Sequence, residues 1–195
     1  EEVIQGCQTI LGLIYGTMPH DSAWEFMRLG RYLERADMTT RNLDAGVAAV
    51  IQTEDDEFSV NSHQIIWGNV LRSLNADQSY RRKCRASVSN TLVVRYLLEN
   101  EEFPKSVGYC IGAIIDSCNR LPNSKALLDE LAVIKDKIYT HREDDLMGEP
   151  LRNYLNDLQI LIGHVNRSIA QEWFPKIETE MTQTQSMNSL DTIES

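Results

Sequence analysis

Trp24-Glu25-Phe26-Met27-Arg28-Leu29-Gly30-Arg31-Tyr32-Leu33-Glu34-Arg35-Ala36-Asp37-Met38-Thr39-Thr40-Arg41 is the stretch that decides the fold. At about 100° per residue, Phe26, Leu29, Leu33, Thr40 and Val47 fall on one apolar face of a helix. Asp44 falls within that face and Asp37 at its edge. Gly30, Glu34, Asp37, Arg41 and Asp44 follow one another as a polar seam. Arg28, Arg31 and Arg35 make a separate basic ridge on roughly the opposite side. A helix with an apolar face this long buries it against other helices. Carboxylates beside such a core are costly unless paired, and Asp37 with Arg41 is an i, i+4 pair. The seam is therefore expected to turn inward and be neutralised by neighbouring helices as a salt-bridge network, or by another molecule at a ligand or partner site that uses Glu34 and Arg35 with Arg31 or Asp37. Gly30, poor in helix propensity by about 1 kcal/mol against alanine, is expected to mark a close backbone approach.

The same pattern continues outward in both directions. A partial helix is expected near residues 2–15, then a long one from Ser22 to Gln52, with Ser22 and Glu25 as a capping box. Thr53-Glu54-Asp55-Asp56-Glu57 reads as a solvated acidic turn. Further helices are expected from Ser62 to Asn75, from Ser79 to Asn100 with a break near Ser87–Asn90, from Pro104 to Arg120, from Asn123 to Thr140 and from Pro150 to Phe174. Pro19, Pro104, Pro122, Pro150 and Pro175 all punctuate apolar-periodic segments and never interrupt one. Pro104 suits a first helical turn with Phe103 as a staple. Period-two alternation and Asn-Gly or Asp-Gly hairpin signals are missing. The fold class is all-α: a bundle of about six helices with one long central helix.

The 195 residues suit one domain, and 42% hydrophobic with 25% charged residues excludes wholesale disorder. A net charge of −10 argues against a general nucleic-acid or anionic-membrane binder, since the long-range field repels phosphate. Val3 to His20 lacks charged residues but carries Gln5, Gln8, Thr9 and Thr17 behind two glutamates. It reads as neither signal peptide nor membrane span. Cys7, Cys84, Cys110 and Cys118 contain no C-x-x-C pair, and Cys110 and Cys118, eight apart on one helix, sit roughly 12 Å apart. A reduced, cytoplasmic protein with packing thiols is expected. Beyond Lys176 the composition turns to Thr, Gln, Ser, Asn and Met, so residues 175–195 are expected to be a polar, disordered tail. Glu1-Glu2-Val3-Ile4 enters a helix without a clear cap. The domain of residues 1–174 is accordingly expected to be N-terminally incomplete, with an apolar face open to pairing between copies.

Met18-Pro19 followed by Trp24 and Phe26, then Leu29-Gly30-Arg31-Tyr32-Leu33-Glu34-Arg35-Ala36-Asp37, closely resembles the bacterial alpha-E family, named for its helices and Glu-Arg motif. Arg95-Tyr96-Leu97-Leu98 followed by Phe103-Pro104-Lys105-Ser106-Val107 resembles that family's second recognisable segment. The resemblance runs from near residue 1 to about residue 174 and implies the C-terminal portion of a larger alpha-E domain. It implies a helper of a peptide-ligation or peptide-tagging system, encoded beside or fused to a circularly permuted ATP-grasp ligase domain. It implies no catalytic mechanism for the helical domain itself, and carries Glu34-Arg35 over as a signature.

Other chemistries find less support. No Glu-x-x-His occurs for a di-metal bundle site; Glu34 and Asp37 offer oxygen ligands to a hard cation, but no metal and no cofactor is expected. His20, His63, His141 and His164 suggest no nucleophilic relay with serine or cysteine. Walker and dinucleotide fingerprints are missing. Arg81-Arg82-Lys83-Cys84-Arg85 lacks interleaved aromatics beyond Tyr80, which suits a solvated helix face or an acidic docking partner better than single-stranded nucleic acid. Gly108-Tyr109-Cys110-Ile111-Gly112 suggests a close helix crossing. The expected function is a non-catalytic accessory and interaction module. Its candidate binding residues are Arg28, Arg31, Glu34, Arg35, Asp37 and Arg41, its partner the ATP-grasp ligase domain or related peptide-processing proteins. The alternatives are an enzyme using Glu34 or Asp37 as acid/base, or an oligomeric scaffold.

Overall fold

A computed structural model describes residues 2–53, 59–141 and 147–174. The acidic stretch 54–57 and the tail 175–195 lie outside the described residues. Those residues form eight helices and no strand, so the all-α class holds with more, shorter helices than expected: α1 (Glu2–Thr17), α2 (Ser22–Ile51), α3 (Ser59–Ser73), α4 (Asp77–Cys84), α5 (Asn90–Glu99), α6 (Val107–Cys118), α7 (Lys125–Tyr139) and α8 (Gly148–Trp173). The expected Ser79–Asn100 helix is two. α4 stops at Arg85, which adopts a left-handed φ of 48°, and α5 starts at Asn90. Asn75, at φ 53°, likewise turns the chain out of α3, and the next amide, Ala76, closes that end by donating to Leu71 O at 2.7 Å.

Several expected helix starts shift by two or three residues, and at two starts the structure shows which side chain makes the cap. Asp21, not Ser22, caps α2, its carboxylate accepting from Ala23 N at 3.0 Å and Trp24 N at 3.2 Å. α6 starts at Val107 behind a Ser106 cap, whose hydroxyl accepts from Tyr109 N at 3.2 Å. Pro104 therefore sits in the preceding loop rather than in a first turn.

α2 is the axis of the bundle and packs chiefly against α6 and α8, with α3 near its C-terminal end. Its buried arc holds Leu29, Leu33, Thr40 and Val47 as the spacing predicts, and extends through Tyr32, Ala36, Thr39, Leu43 and Val50. α6 and α8 cover α2 from two sides and α3 covers its C-terminal end, so the arc is wider than one partner would need. The core around it includes Trp67, Leu71, Leu97, Leu98, Ile111, Ile114, Leu131, Ile134, Leu155 and Leu158. Phe26 is half-buried at the rim, ring to ring with Trp173 at 5.3 Å.

The close approach expected at Gly30 does not occur, because a β-carbon there would meet nothing within 4 Å. It occurs sixteen residues on. A β-carbon at Gly46 would lie 2.8 Å from Val70 Cγ2 and 3.1 Å from Trp67 Cζ3, so α3 sits directly on the α2 backbone. The Gly108/Gly112 pair divides in the same way. Gly108 lets the backbone of Leu98 and Glu99 come close, at 3.0 and 3.2 Å from a would-be β-carbon, and Gly112 faces open space. Helix α1 has no buried residue; Val3, Ile4, Ile10 and Leu13 are exposed. It touches the bundle through Tyr15, whose ring stands edge-on to Trp24 at 4.9 Å. None of the described helices is long and apolar enough to cross a membrane.

Candidate functional site

Consecutive residues on a helix point about 100° apart, so Glu34 and Arg35 have different neighbours. Glu34 is exposed beside an open hollow of about 270 Å3 between α2 and α8, lined also by Gly30, Leu33, Asp37, Gly163 and Asn166. Asp37 is half-buried, and its two carboxylate oxygens accept from Arg41 Nε at 2.6 Å and Nη2 at 3.1 Å. Asp44 accepts from Arg152 Nε of α8 at 3.2 Å. Asp37 and Asp44 of the polar seam are thus paired, and the seam runs along the open edge of the α2–α8 contact instead of turning inward. The physical reason is the width of the buried arc: α6 and α8 together centre it near Ala36 and Leu43, which leaves the Gly30–Glu34–Arg41 stripe outside.

The basic ridge is not a solvated face. Arg28, with its side chain 17% exposed, donates to Glu25 at 3.2 Å. Arg31 donates to the Tyr15 hydroxyl and lies over that ring at 4.5 Å, which fastens α1 to α2. Arg35 and Arg28 flank the Tyr32 ring, at 5.6 and 5.8 Å from its centroid, and Tyr109 of α6 stands against Tyr32 at 5.8 Å. Arg35 Nη1 also reaches the carbonyl of Pro104 at 3.5 Å.

The residue that the sequence alone leaves unnoticed is Glu25. Read as half of a capping box, it is instead 2% exposed, in the middle of the buried arc. Its spacing of 7, 11 and 18 from Tyr32, Ala36 and Leu43 is the signal that would have placed it there. Its carboxylate accepts from Arg28 at 3.2 Å and from Arg120, just beyond α6, at 2.9 Å. Burial on its own would raise its pKa. The Arg120 hydrogen bond, the Ser117 hydroxyl beside it and the Arg28 charge outweigh that and hold it below the usual glutamate value. A buried carboxylate on α2 thus exists, one end of the helix away from the expected seam.

Lys105 is the second unnoticed residue. Between α5 and α6 the chain folds over the Asn100 side chain, which accepts from Glu102 N and Phe103 N, both at 2.8 Å. Ser106 donates to the Asn100 carbonyl, and Thr39 of α2 donates to the Lys105 carbonyl at 2.7 Å. Arg35 and Thr39, one turn apart, therefore hold two successive carbonyls of this loop, those of Pro104 and Lys105. The two segments singled out in the sequence, 29–37 and 103–107, meet in space. Burial and the nearby Arg35 cation lower the Lys105 pKa.

The remaining candidates are structural. Cys110 and Cys118 are buried free thiols, pushed by desolvation up to about 12 and about 11 respectively. In the basic run, Arg81 pairs with Asp77 at 3.2 Å and Lys83 with Glu102 at 2.8 Å, both at the surface. Trp67 and Tyr154 are core residues and Trp173 lies at the rim, its indole donating to Pro122 O at 3.1 Å. Among the described residues no three His, Cys, Asp or Glu side chains converge as a metal site.

Comparison with curated proteins and with solved structures finds no match. A family model does match residues 1–174, and its family is described as a predicted alpha-helical domain with a conserved ER motif. Glu34-Arg35 is the only Glu-Arg dipeptide in the chain, so that motif falls on the turn of α2 that carries Arg35 to the Pro104 carbonyl. The match covers α1 through the end of α8, and the all-helical architecture agrees with it: the chain belongs to the Alpha-E family.

Proposed function

We propose that this chain is a non-catalytic helical accessory module, acting in the cytoplasm with an ATP-grasp-type ligase in peptide-bond formation or peptide tagging. One observation supports the reading: the arginine of the Glu-Arg motif points to the 100–106 loop, 3.5 Å from the Pro104 carbonyl and beside the Thr39–Lys105 anchor, instead of converging with Glu34 on a shared reactive centre. A motif used in this way shapes a surface, and a shaped surface serves recognition. The partner's binding energy would act on the loop and on the face beside Tyr32 and Tyr109. The test is reconstitution with a circularly permuted ATP-grasp ligase and a peptide acceptor, following ADP release and amide formation. The chain alone should give neither product; adding it to the ligase should raise the rate, and Arg35→Ala should remove most of the increase.

A second reading rests on the hollow beside Glu34, Asp37 and Asn166, which has room for a small polar substrate. It makes the chain an enzyme with Glu34 as acid/base. Turnover by the chain alone that disappears in Glu34→Gln would establish it and overturn the accessory reading.

A further inference from the structure

Four cations border the face formed by α2 and the start of α6, and they are not equally neutralised. Arg28 has the Glu25 carboxylate, whereas Arg31 has no described carboxylate and gives its guanidinium to the uncharged Tyr15 hydroxyl and ring on the α1 side. Arg35 and Lys105 likewise form no ion pair with any described carboxylate, and neither has a described side-chain hydrogen-bond partner of its own: Arg35 has a carbonyl at 3.5 Å and a ring face, and Lys105 has Arg35 as its charged neighbour. In a chain of net charge −10, two adjacent half-buried cations without a counter-charge are out of character. Lys105 also directly precedes Ser106, the cap of α6, and so lies at the positive end of a helix, where a cation is disfavoured. Neither residue drifts there on a flexible segment. Thr39 fixes the Lys105 backbone to α2 at 2.7 Å, and Tyr32 supports the Arg35 guanidinium from one side.

We infer that Arg35 and Lys105 form a receptor for one anionic group, a carboxylate or a phosphate, presented by the molecule that the module recognises. The planar guanidinium offers a two-pronged donor set to such a group, and the ammonium adds a second charge from the loop side. Binding would turn a repulsive pair into a bridged one and tighten the α2–loop contact. The inference deepens the accessory reading and rests on it for what carries the anion.

The test uses the isotopically labelled chain at low salt, titrated separately with inorganic phosphate, with N-acetyl-dialanine bearing a free carboxylate, and with the amide of that peptide. At least one of the first two probes should move the Arg35 Nε–H and the Lys105 and Thr39 amide signals saturably, and the amide should not. Phosphate alone identifies a phosphate receptor; the peptide acid alone identifies a chain terminus; both together identify a general anion receptor. Lys105→Gln, which leaves the backbone carbonyl in place for Thr39, should weaken binding at least tenfold, and Lys83→Gln should not. Half-molar salt should weaken binding of the wild type as well. No saturable shift at Arg35 and Lys105, an equal response to the amide, or unchanged affinity in Lys105→Gln would overturn the receptor. If the anion binds but the chain does not stimulate a ligase, the accessory reading fails and the receptor stands. Stimulation without anion binding overturns the receptor and leaves the accessory reading in place.

Discussion

Replacing Glu25 with glutamine tests the most buried charge among the described residues. The side chain is 3% exposed and is gripped by Arg28, 17% exposed, and Arg120, 60% exposed. Glutamine keeps the shape and one acceptor oxygen, but its amide nitrogen faces a guanidinium and can accept nothing. The loss is one charge-assisted hydrogen bond and the neutralisation of Arg28. Arg120 returns to water at small cost; Arg28 cannot. A charge-assisted bond contributes about 1.5–3 kcal/mol and an exposed arm much less, so Glu25→Gln should cost about 2 kcal/mol. For a domain of this size that lowers Tm by about 4–8 °C. Urea unfolding of the wild type, Glu25→Gln, Arg120→Met and the double variant at pH 7 measures both the cost and the coupling between the two residues. Coupling of about 1 kcal/mol is expected. The sign with pH follows from the direction of the shift. The folded-state pKa of Glu25 is depressed, so its contribution is complete above the ordinary glutamate value near 4.5 and is lost as pH falls through the lower folded value. Glu25→Gln should therefore flatten the acid limb of the stability curve and leave it parallel to the wild type above pH 6. A Tm change under 1 °C, or coupling to Arg120 within 0.3 kcal/mol of zero (the ordinary additivity error), would refute the assignment.

Two further outcomes are expected. Gly46→Ala forces a methyl group to within 2.8 Å of Val70 and 3.1 Å of Trp67, and should cost about 1–3 kcal/mol by calorimetry. Gly30→Ala meets open space and should stabilise by about 1 kcal/mol; opposite signs at the two positions are the check. At pH 8 the native chain should be alkylated at exposed Cys7 but not at Cys110 or Cys118, whose thiols are buried and titrate near 12 and 11, as peptide mapping after a short iodoacetamide pulse would report.

The helical class and the central place of α2 were legible because apolar periodicity over thirty residues has one interpretation. Which side of α2 is buried was only half legible. A helix wheel finds the strongest apolar stripe, that of Leu29, Leu33 and Val47, but cannot know that a second helix covers Tyr32, Ala36 and Leu43. That single uncertainty produced both errors at the site. It placed the Glu34–Asp37–Arg41 stripe toward the interior, and left Glu25, the true interior carboxylate, looking like a cap. Glycine was similarly ambiguous, since Gly30 and Gly46 look alike in sequence and differ only in whether Trp67 arrives. The contact of Arg35 with Pro104 spans 69 residues and that of Thr39 with Lys105 spans 66, and neither follows from a local pattern. Both segments were recognisable, and only the fold could show that they touch.

The pairing of Glu25 with Arg120 also sets a clock. The two residues are 95 positions apart, so at about 5–20 residues per second of translation the carboxylate emerges roughly 5–20 seconds before its distant cation exists. During that interval Arg28, three residues away on the same nascent helix, is the counter-charge already synthesised. Until then the carboxylate stays hydrated at no cost, and it can be buried with both counter-charges only after the sixth helix has been made.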